Sequence, residues 1–221
     1  MTNTEKAAET VRRLRNIYPG AECALRYEGD PWRLLVMAVL SAQCTDLRVN
    51  LISKDLFRRF PTPESMAAAD VHEIEAAIKS CGLYRAKAAN IKASCAMIVN
   101  IYGGVVPDTI GELLKLPGVG RKIANLILGD IYGRPAIVTD THCIRLSSRL
   151  GFTPESERRP EKVEKTLSGL IEPSEQSDFC HRLVLFGREV CRARNPACGG
   201  CPLCDICAYG HKYRASLCQD L

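Results

Sequence analysis

The chain has 221 residues, and no apolar run in it approaches the ~20 residues that a helix needs to cross a bilayer. No membrane role is therefore expected. The first twenty residues, MTNTEKAAETVRRLRNIYPG, are charged throughout and lack the apolar stretch of an export signal, which makes the cytoplasm the expected compartment. Internal repeats, low-complexity tracts and sustained heptads are absent, which excludes solenoids and long coiled coils. Extended segments are scarce as well. Only Ala136-Ile137-Val138-Thr139 reads as a strand, and four residues are too few to found a sheet. Charge of one sign does not dominate: the net charge of +5 is a mild lean towards polyanionic partners.

What remains is helical. Asp30-Pro31 reads as an N-cap with proline at the first helical position, and 32–43 then runs almost wholly apolar, as a buried helix does. Residues 46–60 are amphipathic, with Leu47, Leu51, Leu56 and Phe57 expected on one face and Pro61 and Pro63 ending the run. Asp70 is expected to cap 71–81, with Gly82 closing that helix. A longer helix spans 84–102 up to Gly103-Gly104. Further helices are predicted over 108–115, 121–132, 141–150, about 160–171 and 174–190. The predicted class is all-α.

Between two of these helices stands Leu116-Pro117-Gly118-Val119-Gly120, a tight helix–helix turn. Its glycines permit positive φ and leave a surface without side chains, so another molecule can approach the backbone closely. Gly120 and Arg121 also open a helix, and the N–H groups of a helix's first turn form an anion site. With Arg121 and Lys122 adding charge, the segment suits a DNA phosphate gripped without sequence reading. A plain turn flanked by two solvated cations has the same pattern.

Lys122 is also a candidate nucleophile. An ammonium has no lone pair, so a lysine must be neutral to attack, a state that a neighbouring cation and a helix N-terminus favour. Asp140, in Val138-Thr139-Asp140-Thr141-His142, is a good N-cap for the helix after it. A carboxylate held by backbone N–H groups stays ionised and can also stabilise positive charge developing on a sugar. His142 either contacts a phosphate or packs.

Twelve cysteines call for explanation. Cys23, Cys44, Cys81, Cys95, Cys143, Cys180 and Cys218 are scattered, mostly among apolar helical residues, and read as small core residues kept reduced. The other five crowd into 191–207, which is no packing pattern. Cys198, Cys201, Cys204 and Cys207 give C-x2-C-x2-C-x2-C, close to a ferredoxin spacing. Cys191, Cys198, Cys201 and Cys207 give C-x6-C-x2-C-x5-C. Zinc competes with an iron–sulfur cluster for either set. Arg192 and Arg194 lie between the first two of these cysteines, as a basic knuckle or as two solvated side chains.

Taken in order, Leu40-Ser41-Ala42-Gln43-Cys44-Thr45-Asp46, Gly82-Leu83-Tyr84, the hairpin with Arg121-Lys122, Val138–His142 and the cysteine tail resemble the endonuclease III family of DNA glycosylases along nearly the whole chain. The resemblance implies two helical lobes with damaged double-stranded DNA in the cleft between them. One lobe is a six-helix barrel with the helix-hairpin-helix (residues 24–134). The other joins residues 1–23 to 135–221 and carries a 4Fe-4S cluster. It implies Cys191, Cys198, Cys201 and Cys207 as the cluster ligands, with Cys204 a departure from the pattern. It implies Lys122 as a Schiff-base nucleophile supported by Asp140, Gln43 as the residue that fills the hole left by a flipped base, and Leu83 as a wedge in the opposite strand. DNA contacts are expected from Gly118, Val119, Gly120, Arg121, His142, Arg192 and Arg194. The activity implied is removal of oxidised or ring-saturated pyrimidines followed by β-elimination, by a monomer that in a bacterium would be nucleoid-associated. Lys122 and the end of the chain at Leu221 are expected to set it apart from the adenine-mismatch branch. A pyrimidine-dimer glycosylase of the same fold and a non-catalytic DNA-binding module are the alternatives. Ile123 and Thr139 flank the two catalytic candidates.

Overall fold

A computed structural model describes residues 1–217, with side chains through residue 213. Cys218, expected in the core, lies outside the described residues. The described chain forms twelve α-helices and two short 3-10 turns, without a strand, so the all-α expectation holds. It divides into two units, one of Cys23–Gly133 and one of Met1–Glu22 with Arg134–Leu221.

The inserted unit holds α2 (Pro31–Leu40), α3 (Asp46–Arg59), α4 (Pro63–Ala68), α5 (Val71–Ile78), α6 (Tyr84–Tyr102), α7 (Ile110–Leu113) and α8 (Arg121–Asp130). Helix α2 is its centre. Asp30 accepts a hydrogen bond from the Trp32 N–H, proline occupies the first turn, and every residue from Leu34 to Leu40 is buried. It packs against α3, α6 and α8, which explains why its sequence is apolar on all sides. Helix α6 runs over the predicted residues and stops at Gly103, whose φ of 61° is the left-handed C-cap that glycine tolerates.

Two expectations for this unit fail in part or whole, and a third is extended. The apolar face predicted for α3 is buried only in part: Leu47 and Leu51 are 72% and 57% exposed, but Leu56 turns inward together with Val49 and Ile52. The i, i+3, i+7 spacing of those three wins because Asn50 faces the chain before α2, donating to the Ala24 carbonyl and accepting from the Arg26 N–H. Pro63 does more than end α3. It opens α4, where Thr62 and Ser65 form a capping box. Gly82 does not close α5, which ends at Ile78. The left-handed residue is Leu83, at φ 59°.

The terminal unit holds α1 (Asn3–Ile17), α9 (Thr141–Leu150), α10 (Pro160–Ser168), α11 (Gln176–Glu189) and α12 (Ala208–Leu217). Helix α11 packs on α1 and α9, with Phe179, Cys180, Leu183 and Phe186 buried. Arg182 is buried with them. It donates to Glu175 at 3.0 Å and to Asp178 at 2.7 Å, and Arg15 of α1 pairs with the other oxygen of Glu175. No described helix is long and apolar enough to cross a membrane.

Candidate active site

Leu116 and Val119 are buried, so the hairpin hangs from the unit by its apolar residues and turns its glycines outward. Ser94 of α6 donates to the Pro117 carbonyl at 2.7 Å. Gly118 has φ 79°, and a Cβ there would sit 2.9 Å from the Asn90 Cβ, so this turn needs glycine for both conformation and space. Gly120 is the N-cap of α8 and has no side chain with which to cap it. The first-turn N–H groups thus face outward beside the exposed side chains of Arg121 and Lys122. Ile123, partly buried, starts the inward face that continues through Ala124–Leu128.

Gln43 and Leu83 share a feature that composition does not show. They are two of only four non-glycine residues with positive φ among those described, at 54° and 59°. A leucine in that conformation costs about 1 kcal/mol or more, and such strain collects at functional positions. Leu83 is also 60% exposed, so it is no core residue. The two loops touch, since a Cβ on Gly82 would lie 3.6 Å from the Gln43 carbonyl oxygen. Beneath them is Lys87, only 4% exposed, whose ammonium donates to the carbonyls of Leu40 at 2.8 Å and Ala42 at 2.6 Å. Lys87 carries no motif in the sequence. Its signal was a lysine on the buried stripe Lys87-Ile91-Cys95-Ile98 of α6.

In the terminal unit, the segment before α9 is anchored by the Val138 N–H, which donates to the Cys180 sulfur at 3.2 Å. Thr139 is buried, and Asp140 is half-exposed. Asp140 caps α9, its Oδ1 accepting from the Cys143 N–H at 2.7 Å. His142 is partly buried beside Gly187, where a Cβ would fall 2.4 Å from its Nδ1, and Arg145 Nη2 lies 3.1 Å from the same atom. A guanidinium only donates, so Nδ1 accepts, and a neutral ring carries its proton on Nε2.

All five clustered cysteines line one cavity, with Leu146, Arg149 and Tyr209 among its other walls. Burial pushes the Cys201 thiol up to about 11, and it raises Cys198 and Cys207 too, with neighbouring thiols adding to the effect. Among the described residues no three or more metal-ligating side chains converge as a single ion requires. Four thiolates suit a zinc ion or an iron–sulfur cluster. Cys204 is buried under Gly210, where a Cβ would meet its sulfur at 3.0 Å. Arg192 and Arg194 are exposed, and their loop is held by Arg149, a residue the sequence reading missed. Its guanidinium donates to the Cys191 sulfur at 3.3 Å and to the carbonyls of Arg192 at 2.7 Å and Ala193 at 2.9 Å. Arg13 of α1 braces the other end through Asp205 and the Pro202 carbonyl.

The family described as HhH-GPD superfamily base excision DNA repair protein matches residues 36–173. The endonuclease III of Bacillus subtilis is 43% identical over 212 residues, covering 96% of each chain. The endonuclease III of Escherichia coli is 38% identical over 210 residues, 95% of this chain and 98% of its own. A solved complex described as a trapped endonuclease III–DNA covalent intermediate aligns with a TM-score of 0.90 at 42% identity, over 97% of this chain and 100% of that one. The chain belongs to the endonuclease III family. A member of that family is a base-excision repair enzyme that binds DNA and acts as both glycosylase and AP lyase, and this chain is one.

Proposed function

We propose that the enzyme removes oxidised or ring-saturated pyrimidines from duplex DNA, with Lys122 as the nucleophile. The observation that carries this is the placement of Lys122: exposed, in the first turn of a helix behind a glycine hairpin that leaves that turn uncapped. The trapped covalent intermediate known for a 42% identical relative supports a covalent route. In this reading Gln43 fills the space of the flipped nucleotide, Leu83 wedges the opposite strand, and the hairpin grips a phosphate. The strained, exposed loops of Gln43 and Leu83 support those roles. Flipping is required because C1′ is unreachable within the stack.

The Lys122 amine attacks C1′, the glycosidic C–N bond breaks, and the base leaves with a proton. The ring of this amine adduct then opens: the C1′–O4′ bond breaks, O4′ takes up a proton, and the C1′=N imine forms. The imine acidifies the C2′ proton, and its loss expels the 3′ phosphate by β-elimination. Asp140, oriented by its cap bond to Cys143, stabilises positive charge as the glycosidic bond opens. Cys191, Cys198, Cys201 and Cys207 hold a 4Fe-4S cluster, with Cys204 as a packed thiol. The cluster's contribution, when bound, is to tie these four thiolates together and stiffen the loop that presents Arg192 and Arg194. The enzyme works as a monomer on nucleoid DNA in the cytoplasm, and its net charge of +5 favours that association.

The test is a panel of duplexes carrying thymine glycol, an abasic site or a cyclobutane pyrimidine dimer. Strand cleavage is expected at the first two. Efficient cleavage only at the abasic site and the dimer would replace this substrate class with the dimer alternative.

A further inference from the structure

The loops that carry Gln43 and Leu83 also carry Cys44 and Cys81, two thiols that neither the hairpin nor the cysteine loop employs. Their sulfurs lie 3.8 Å apart. Cys44 is partly exposed, whereas Cys81 is buried at 2% exposure. The approach is held by more than the sulfurs: the chain of Gly82 abuts the Gln43 carbonyl, and Lys87 anchors the carbonyls of Leu40 and Ala42.

We propose that Cys44 and Cys81 are a reversible dithiol–disulfide site that links the Gln43 loop to the Leu83 loop. A disulfide brings sulfurs to ~2.05 Å, so side-chain rotation and a small backbone shift must close the remaining distance. The oxidant class is a low-molecular-weight disulfide such as oxidised glutathione. Cys44, the accessible thiol, loses its proton and attacks one glutathione sulfur. A mixed disulfide forms, the glutathione S–S bond breaks, and the departing thiolate takes up the proton. Cys81 then attacks the Cys44 sulfur, expels the second glutathione and passes its proton to it. Two cysteine thiols have lost two electrons and two protons, and one glutathione disulfide has become two glutathione thiols. Burial raises the Cys81 thiol to about 11, while the Lys87 and Arg48 cations oppose that rise. Its attack in the second step therefore rests on proximity, the two sulfurs lying 3.8 Å apart within one molecule.

The functional consequence rests on reading Gln43 and Leu83 as the base-flipping residues. Each stands within two positions of a bonded cysteine. Productive geometry tolerates displacements of only ~0.5 Å, so closing the bond is expected to lower lesion excision by about tenfold or more.

The experiment treats the cluster-loaded enzyme with oxidised glutathione, blocks remaining thiols by alkylation, and maps peptides by mass. Lesion excision is then measured before and after dithiothreitol, with Cys44→Ser and Cys81→Ala carried in parallel. The expected result is a Cys44–Cys81 linked peptide, lower excision restored by dithiothreitol, and no such loss in either variant at unchanged visible absorption. Both cysteines alkylated after treatment, or Cys44 halted as a stable glutathione adduct, would overturn the site. A linked peptide with undiminished excision would uphold the disulfide and remove the flipping role from these loops.

Discussion

The ammonium of Lys87 lies 2.6 Å from the carbonyl oxygen of Ala42, next to Gln43 in the chain. With the Leu40 carbonyl as its second acceptor, this buried lysine satisfies two backbone groups at the end of α2 that the helix leaves open. Lys87→Met keeps the apolar stem and leaves both carbonyls unsatisfied. Stability is expected to fall by about 3 kcal/mol, read from denaturant midpoints. Excision of thymine glycol is expected to fall about tenfold or more, because the loop of Gln43 loses its anchor.

Leu83 separates strain from packing. It is exposed and left-handed, so Leu83→Gly removes the side chain and relieves the backbone at once. The melting temperature is expected to hold or rise, while excision falls. Leu83→Ala keeps the strain and should lose excision without the gain in stability. A clear loss of stability in both variants would return Leu83 to a structural role.

Much of this arrangement was legible in the sequence, and the misses have physical causes. The bounds of α6 and α9 were readable because each helix meets a strong local stop, Gly103 and Gly151, both with positive φ. The hairpin was readable because proline restricts φ and glycine permits the positive φ that a tight turn requires. The buried face of α3 was not, because hydrophobicity alone favoured Leu47 and Leu51 while tertiary contacts turned the helix towards Val49 and Ile52. The conformation of Leu83 was hidden because a left-handed leucine opposes its own preference and is held there by its surroundings. Arg149 was hidden for another reason: its acceptors lie more than forty residues away in the chain.

The cysteine cavity gives a visible readout. The enzyme as purified is expected to be yellow-brown, with Cys204→Ser keeping the colour and Cys191→Ser losing it. Absorbance and iron analysis check this. A colourless protein with one zinc per chain would overturn the cluster.

Glu175 contributes to the pH dependence of the terminal unit. Arg15 first, and Arg182 after it, hold its carboxyl below the ordinary value of 4.5. A lowered folded-state value means the stabilisation is complete above the unfolded value and is lost as pH falls through the folded one. Glu175→Gln should therefore lower the melting temperature at pH 7, and its gap from the parent should narrow below about pH 4. A gap that stayed constant with pH would assign the effect to packing.

The central claim is that Lys122 becomes covalently joined to the sugar it attacks. Borohydride added during reaction with a thymine-glycol duplex measures this directly by reducing the imine to a stable protein–DNA adduct. The parent enzyme is expected to be trapped, and Lys122→Gln to bind the duplex yet yield no adduct. Equally efficient trapping of Lys122→Gln would contradict the account.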